Sequence, residues 1–248
     1  MYRRDFLKTA LLLSGTAIFS GIDTSTAKSV GLSIPTDPNY WQLALTPPLG
    51  WNSYDTYGSS VTESEYLANA EVMQHKLLQH GYEYAVIDYL WFDPKLAPKE
   101  ISEKKPTVID TYGRCIPAVN KWPSAKGNTG FKKISEKIHA MGLKFGFHIM
   151  RGIPRVAVEK NTPIEGTHYH ARDAADTTST CSWDKHMYGV KGATPAGQAY
   201  YDSLARLYSD WGADFIKIDD LSRPYHEDEI HAIRKALDKY APDIVFST

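Results

Sequence analysis

Apolar side chains recur along this chain with two alternating periods, and the switches between them mark out its elements. Stretches at about 62–79, 131–140, 196–210 and 227–239 space their apolar residues three and four apart, as an amphipathic helix does. Between them lie short apolar runs of strand length. Three of these share one phrase, HGYEYAVID (80–88), MGLKFGFHI (141–149) and WGADFIKID (211–219), in which a helical pattern meets a glycine and a buried run follows. Glycine suits the position just past a helix because it enters the left-handed region without a Cβ clash. Each copy therefore predicts helix, turn and strand.

A run at 49–53 and the closing DIVFST (243–248) bring the expected count to five strands joined by four helices, a parallel α/β arrangement. Such an arrangement is either a doubly wound sheet or a barrel. No glycine-rich phosphate turn follows the first strand, and the loops after the strands are long, polar and aromatic. Both points favour a (β/α)8 TIM barrel with its site at the C-terminal strand ends. A whole barrel takes eight strands and about 250 residues, so only about the first five strands are expected in 46–248, and the natural product is expected to be longer.

Residues 1–27 stand apart from this pattern, with a basic start, Arg3-Arg4, and an apolar stretch from Thr9 to Ile22. The stretch is shorter than the roughly 20 residues a membrane span needs and reads as an export signal of twin-arginine type, cleaved near Ala27. The expected location is the periplasm or the medium, and residues 28–45 form a proline-containing lead into the catalytic region. Cys115 and Cys181 could pair in an exported protein if the fold brings them together. The 248 residues carry 28 basic and 29 acidic side chains, so there is no charge excess to hold nucleic acid or an anionic membrane. The 6 tryptophans and 16 tyrosines fit either a large core or a sugar-binding cleft.

Strand geometry narrows the candidate chemistry. Side chains two apart share a face, so Phe215, Lys217 and Asp219 are expected to point one way and Ile216 and Ile218 the other. The same rule turns Tyr84, Val86 and Asp88, and Lys144, Gly146 and His148, toward the barrel axis. An ammonium beside Asp219 would favour its ionised form, as a nucleophile requires. Asp220 projects to the opposite face and begins the loop, where it would orient a neighbour or a substrate hydroxyl. The loop after the third strand carries Arg151, His168, His170, Asp173, Cys181, Trp183 and Asp184, which could wall one side of the pocket. His168 and His170 lack an assured third ligand, so no metal is expected, and no cofactor.

Four collinear blocks, TPPLGWNSYDTYG (46–58), YEYAVIDYLW (82–91), GLKFGFHI (142–149) and WGADFIKIDD (211–220), resemble family 27 of the glycoside hydrolases, the α-galactosidase or melibiase family. The resemblance implies a retaining α-glycoside hydrolase acting on terminal sugars of oligo- or polysaccharides. It places Asp219 as the catalytic nucleophile, with substrate-binding roles for Lys217, Trp51 and Asp88. Tyr89 stands where the family has a second aspartate, which opens isomaltosyl and arabinopyranosyl specificity beside galactosyl. The family's general acid lies past the fifth strand, so the 248-residue product is expected to be inactive. Two other readings use the same residues: a carbohydrate-binding barrel without catalysis, and a barrel enzyme for phosphorylated sugars, against which export argues.

Overall fold

The computed structural model describes residues 40–95 and 107–248, so the expected export signal at 1–27, and most of the lead at 28–45, lie outside the described residues. A short helix α1 (Tyr40–Leu43) precedes β1 (Gly50–Asn52), α2 (Tyr54–Tyr57) and α3 (Glu63–Val72). Glu65 accepts a hydrogen bond from the Thr62 backbone N–H at 2.9 Å, which satisfies one free donor at the start of α3. The helical path continues through a π-type turn (Met73–Leu77) and a 3₁₀ turn (Leu78–His80) into β2 (Tyr84–Ile87). Then follow α4 (Lys132–Ala140) and β3 (Lys144–Met150).

The segment after β3 is not the plain loop that the periodicity predicts. It contains β4 (Ile153–Pro154), α5 (Arg155–Lys160), α6 (Ala171–Ala174), β5 (Ala175–Asp176) and β6 (Met187–Val190). Its strands form a small antiparallel sheet ordered β4-β6-β5. Runs of two to four residues are too short to show a period, which is why they escape a reading of hydrophobic spacing. The chain closes with α7 (Pro195–Asp210), β7 (Phe215–Asp219), α8 (Glu227–Tyr240) and β8 (Val245–Ser247).

The main sheet has five parallel strands ordered β1-β2-β3-β7-β8, each strand beside its successor in this sheet. A doubly wound sheet would reverse this order partway, so that alternative does not apply to the described strands. The glycines of the repeated phrase stand in the left-handed region, with φ of 84° at Gly81, 76° at Gly142 and 74° at Gly212. They turn each helix into the following strand.

Alternation along the strands sorts side chains between two faces. Ala85, Ile87, Phe145, Phe147, Ile149, Ile216 and Ile218 join the helices in the main core. Phe147 is the centre of an aromatic cluster there, with ring centroids 5.0 Å from Tyr208, 5.7 Å from Phe131 and Trp211, and 5.8 Å from Trp91. On the other face, Tyr84, Val86 and Val245 form a second cluster with Leu43 and Phe215. Cys115 and Cys181 are both buried free thiols, so the disulfide considered above is not formed. Cys115 is bridged to Ile109 and Cys181 lies beside Asp220, so separate elements hold them. No helix among the described residues is long and apolar enough to cross a membrane.

Phe147 is fully buried, so Phe147→Ala is expected to lower stability by about 3–5 kcal/mol in denaturant unfolding. Val72→Ala, at a position 56% exposed, is expected to change it by less than about 0.5 kcal/mol.

Candidate active site

Register brings the polar residues together. His148 pairs with Lys217 and Met150 with Asp219 across β3 and β7, while Tyr84 pairs with Lys144 across β2 and β3. Asp88 follows the last residue of β2 and so reaches the same end of the sheet. Parallel strands in register deliver their C-terminal side chains to one edge, and here that edge is charged.

Lys217 is the hub. Its Nζ lies 3.2 Å from Asp88 Oδ2 and 3.4 Å from Asp219 Oδ2. Asp88 is 2% exposed, and its Oδ2 also accepts Asn52 Nδ2 at 2.6 Å while its backbone N–H donates to Ser53 Oγ at 2.9 Å. Asp219 remains open, with its side chain 33% exposed. Its backbone carbonyl accepts the Arg151 N–H at 3.1 Å, which fixes the strand end.

His148 is fully buried beside Asp219, with its Nε2 3.2 Å from Asp219 Oδ2. Burial by itself would raise the Asp219 pKa, but the His148 ring and the Lys217 ammonium outweigh it and hold the carboxyl below its ordinary value. Burial likewise opposes the charge on Lys217, and Asp88 and Asp219 together overcome it, leaving the ammonium harder to deprotonate than usual. The site thus keeps an ionised, partly exposed carboxylate beside a firm cation.

The other expected site residues divide. The Tyr89 phenol donates to Asp184, and its ring meets His148 edge to face at 5.6 Å and Trp183 at 6.2 Å. Asp184 is fully buried and also accepts the backbone N–H of His186 at 2.7 Å and stands 2.8 Å from its Nδ1. Burial first, and then the bond to Asp184, push the Tyr89 phenol well above its usual range. Its hydroxyl therefore holds the loop, and the ring is what it presents to the site. Trp183 stands 42% exposed at this edge.

Trp51 of β1 is partly buried and packs on Tyr57 at 6.3 Å and Tyr66 at 6.1 Å, while Gly50 and Asn52 on either side of it share the face of the charged residues. Asn52 holds Asp88, and Tyr54, 53% exposed, lies close enough to act electrostatically on Tyr89. The alternation rule applied to the first strand would have found Asn52. Asp220, its side chain 8% exposed, holds Arg151 at 2.9 Å, so it orients a neighbour as expected of it. His168 and His170 are exposed, and the His170 backbone N–H donates to Asp173 at 2.8 Å.

Several known proteins are similar to this chain. The β-L-arabinopyranosidase of glycoside hydrolase family 27 from Geobacillus stearothermophilus is 49% identical, with a TM-score of 0.80, over 85% of this chain and 49% of that one. α-Galactosidase mel1 of Schizosaccharomyces pombe is 28% identical over 182 residues, 73% of this chain and 30% of that protein. α-Galactosidase I of Mortierella vinacea, at 24% identity and a TM-score of 0.51 over 83% of this chain and 41% of that one, shares the fold. No family profile matches the chain. The chain therefore spans about a third of the curated relative and about half of the solved arabinopyranosidase.

Because folding makes Asp219 more acidic, its ionisation stabilises the fold above its unfolded pKa of about 3.9 and ceases to do so as pH falls through the lower folded value. Lys217→Met removes the neighbouring cation, so Asp219 is expected to protonate at higher pH, and the stability that its ionisation contributes above the unfolded pKa should shrink and be fully lost at a higher pH on acidification. Carboxyl ¹³C NMR titration reads this directly; an unchanged Asp219 midpoint would show that Lys217 does not set it.

Proposed function

Since the chain belongs to family 27 of the glycoside hydrolases, we propose that it is the nucleophile-bearing part of an exported, retaining glycosidase that removes terminal sugars from oligo- or polysaccharides. The observation that carries this reading is Asp219, an ionised and partly exposed carboxylate held between Lys217 and His148 at the end of a parallel strand. In a double displacement, Asp219 attacks the anomeric carbon while an acid protonates the departing oxygen, and water then releases the sugar with retention. Asp88 is not that acid, since it is buried and shared between Asn52 and Lys217. The reading assigns the acid to the part of the relatives' length that this chain does not span, and the five strands to a (β/α)8 barrel.

The sugar is the second question, and Tyr89 favours an answer other than galactose. A carboxylate at this position could accept hydrogen bonds from two sugar hydroxyls, whereas Tyr89 offers a ring whose phenol is already bound to Asp184. An apolar ring favours a sugar that carries no hydroxyl-bearing group there, as in a pentopyranose, and the likeness to the arabinopyranosidase points the same way. We take β-L-arabinopyranosides as the preferred substrates and α-galactosides as the weaker ones. Export to the periplasm or medium rests on the pattern of residues 1–27.

The test is a screen of the full-length protein on aryl β-L-arabinopyranoside, α-galactoside and α-glucoside. The arabinopyranoside should give a kcat/KM about 10-fold or more above the galactoside. Asp219→Ala should lose at least about 10³-fold in kcat. Full activity in that variant would remove Asp219 from the chemistry, and binding without turnover in the wild type would favour a carbohydrate-binding protein.

A further inference from the structure

Behind the strand ends, an ionic cluster joins four elements. Arg151 directly follows β3 and is 3% exposed. Its Nε donates to the Asp220 carbonyl at 2.9 Å and to Asp220 Oδ2 at 3.0 Å, and its Nη2 reaches the same carboxylate oxygen at 2.9 Å. Nη1 donates to Glu229 Oε1 of α8 at 2.6 Å and to Ser179 Oγ at 3.0 Å. Glu229 also accepts the Tyr201 phenol of α7 and the Val190 N–H of β6 at 3.2 Å. Every nitrogen of the guanidinium is thus engaged by protein, and the group has no exposed edge to offer a sugar.

The residue at the centre of this clamp has an unusual backbone. Asp220 has φ of 70°, in the left-handed region that residues with a Cβ hold only when their surroundings compensate. It is also the residue after Asp219, so its conformation sets the peptide plane on which Asp219 stands. The bond from the Arg151 N–H to the Asp219 carbonyl shares that plane.

We propose that Arg151, backed by Glu229, is a positioning residue that orients the Asp219 carboxylate by locking Asp220 in the left-handed conformation. The Asp220 carboxylate is then an anchor for the backbone and not a ligand for substrate. If residue 220 returned to an ordinary conformation, the 219–220 peptide would rotate and carry Asp219 away from its contacts with His148 and Lys217. The inference rests on Asp219 being the nucleophile, and it makes the clamp necessary for rate rather than for binding.

Two substitutions at one position test the backbone. Asp220→Gly and Asp220→Ala both delete the carboxylate, but only glycine enters the left-handed region freely. The glycine variant should exceed the alanine variant about 10-fold in kcat, with KM values within about twofold of each other. Arg151→Lys keeps a cation for Glu229 but loses the planar fork, so the protein should fold, with kcat lowered about 10- to 100-fold and KM little changed. Adding Asp220→Gly to Arg151→Lys should recover most of that loss. Equal rates for Asp220→Gly and Asp220→Ala, or no recovery in the double variant, would overturn the proposal. Crystal structures of Arg151→Lys and Asp220→Ala give a readout independent of activity: residue 220 should leave the left-handed region and the 3.2 Å contact between His148 and Asp219 should open. If both features persist, the clamp does not position Asp219. A wild type inactive on every glycoside would refute the proposed function while leaving this structural readout decisive.

Discussion

The Lys217 ammonium stands between two carboxylates on neighbouring strands, 3.2 Å from one and 3.4 Å from the other, and the arrangement around it follows from that position. Without a cation, two ionised carboxyls converging on one sheet edge would repel, and one would take up a proton. With it, Asp88 can be buried at 2% exposure and still serve as an acceptor, because Asn52 and Lys217 satisfy its oxygen. Asp219 shares the same cation from the open side and stays ionised. Burial works against both charges, and the directions of the Asp219 and Lys217 shifts show that pairing outweighs it.

Around this charged edge, the segment after β3 supplies two braces. Asp184 holds the phenol of Tyr89 and is held in turn by His186, so an aromatic wall beside His148 is fastened from below. Arg151 ties the residue after Asp219 to α8, α7 and the small antiparallel sheet. The charged groups of the candidate site sit at strand ends, and the groups that hold them include Asn52 of β1, Glu229 of α8 and residues of the segment after β3. Such a division keeps reacting groups in fixed geometry, because their rotamers and backbone are determined by buried partners rather than by exposed loops.

Several parts of this arrangement were legible in the chain itself. The repeated phrase ending in GYEY, GLKF and GADF predicted three glycine turns, and all three glycines have positive φ. The buried Ile216 and Ile218, and the less buried Lys217 and Asp219, follow the period of two. On the first strand the same period puts Asn52 on the face of Asp88, which it binds, and sets the Trp51 ring against Tyr57 and Tyr66.

What the sequence by itself determined is therefore the order of the five main-sheet strands and the four helices between them, the faces that alternation gives those strands, and the identity of Lys217 and Asp219 as a pair. These are local properties, set by periodicity and by one glycine conformation. Only the tertiary structure decided that Asp220 is bound by Arg151, that Tyr89 lends its hydroxyl to Asp184, and that Cys115 and Cys181 stay apart. Each of these depends on contacts between residues far apart in the chain, 69 positions for Arg151 and Asp220 and 95 for Tyr89 and Asp184. No local period records such pairings, because they exist only once packing has chosen which loops meet.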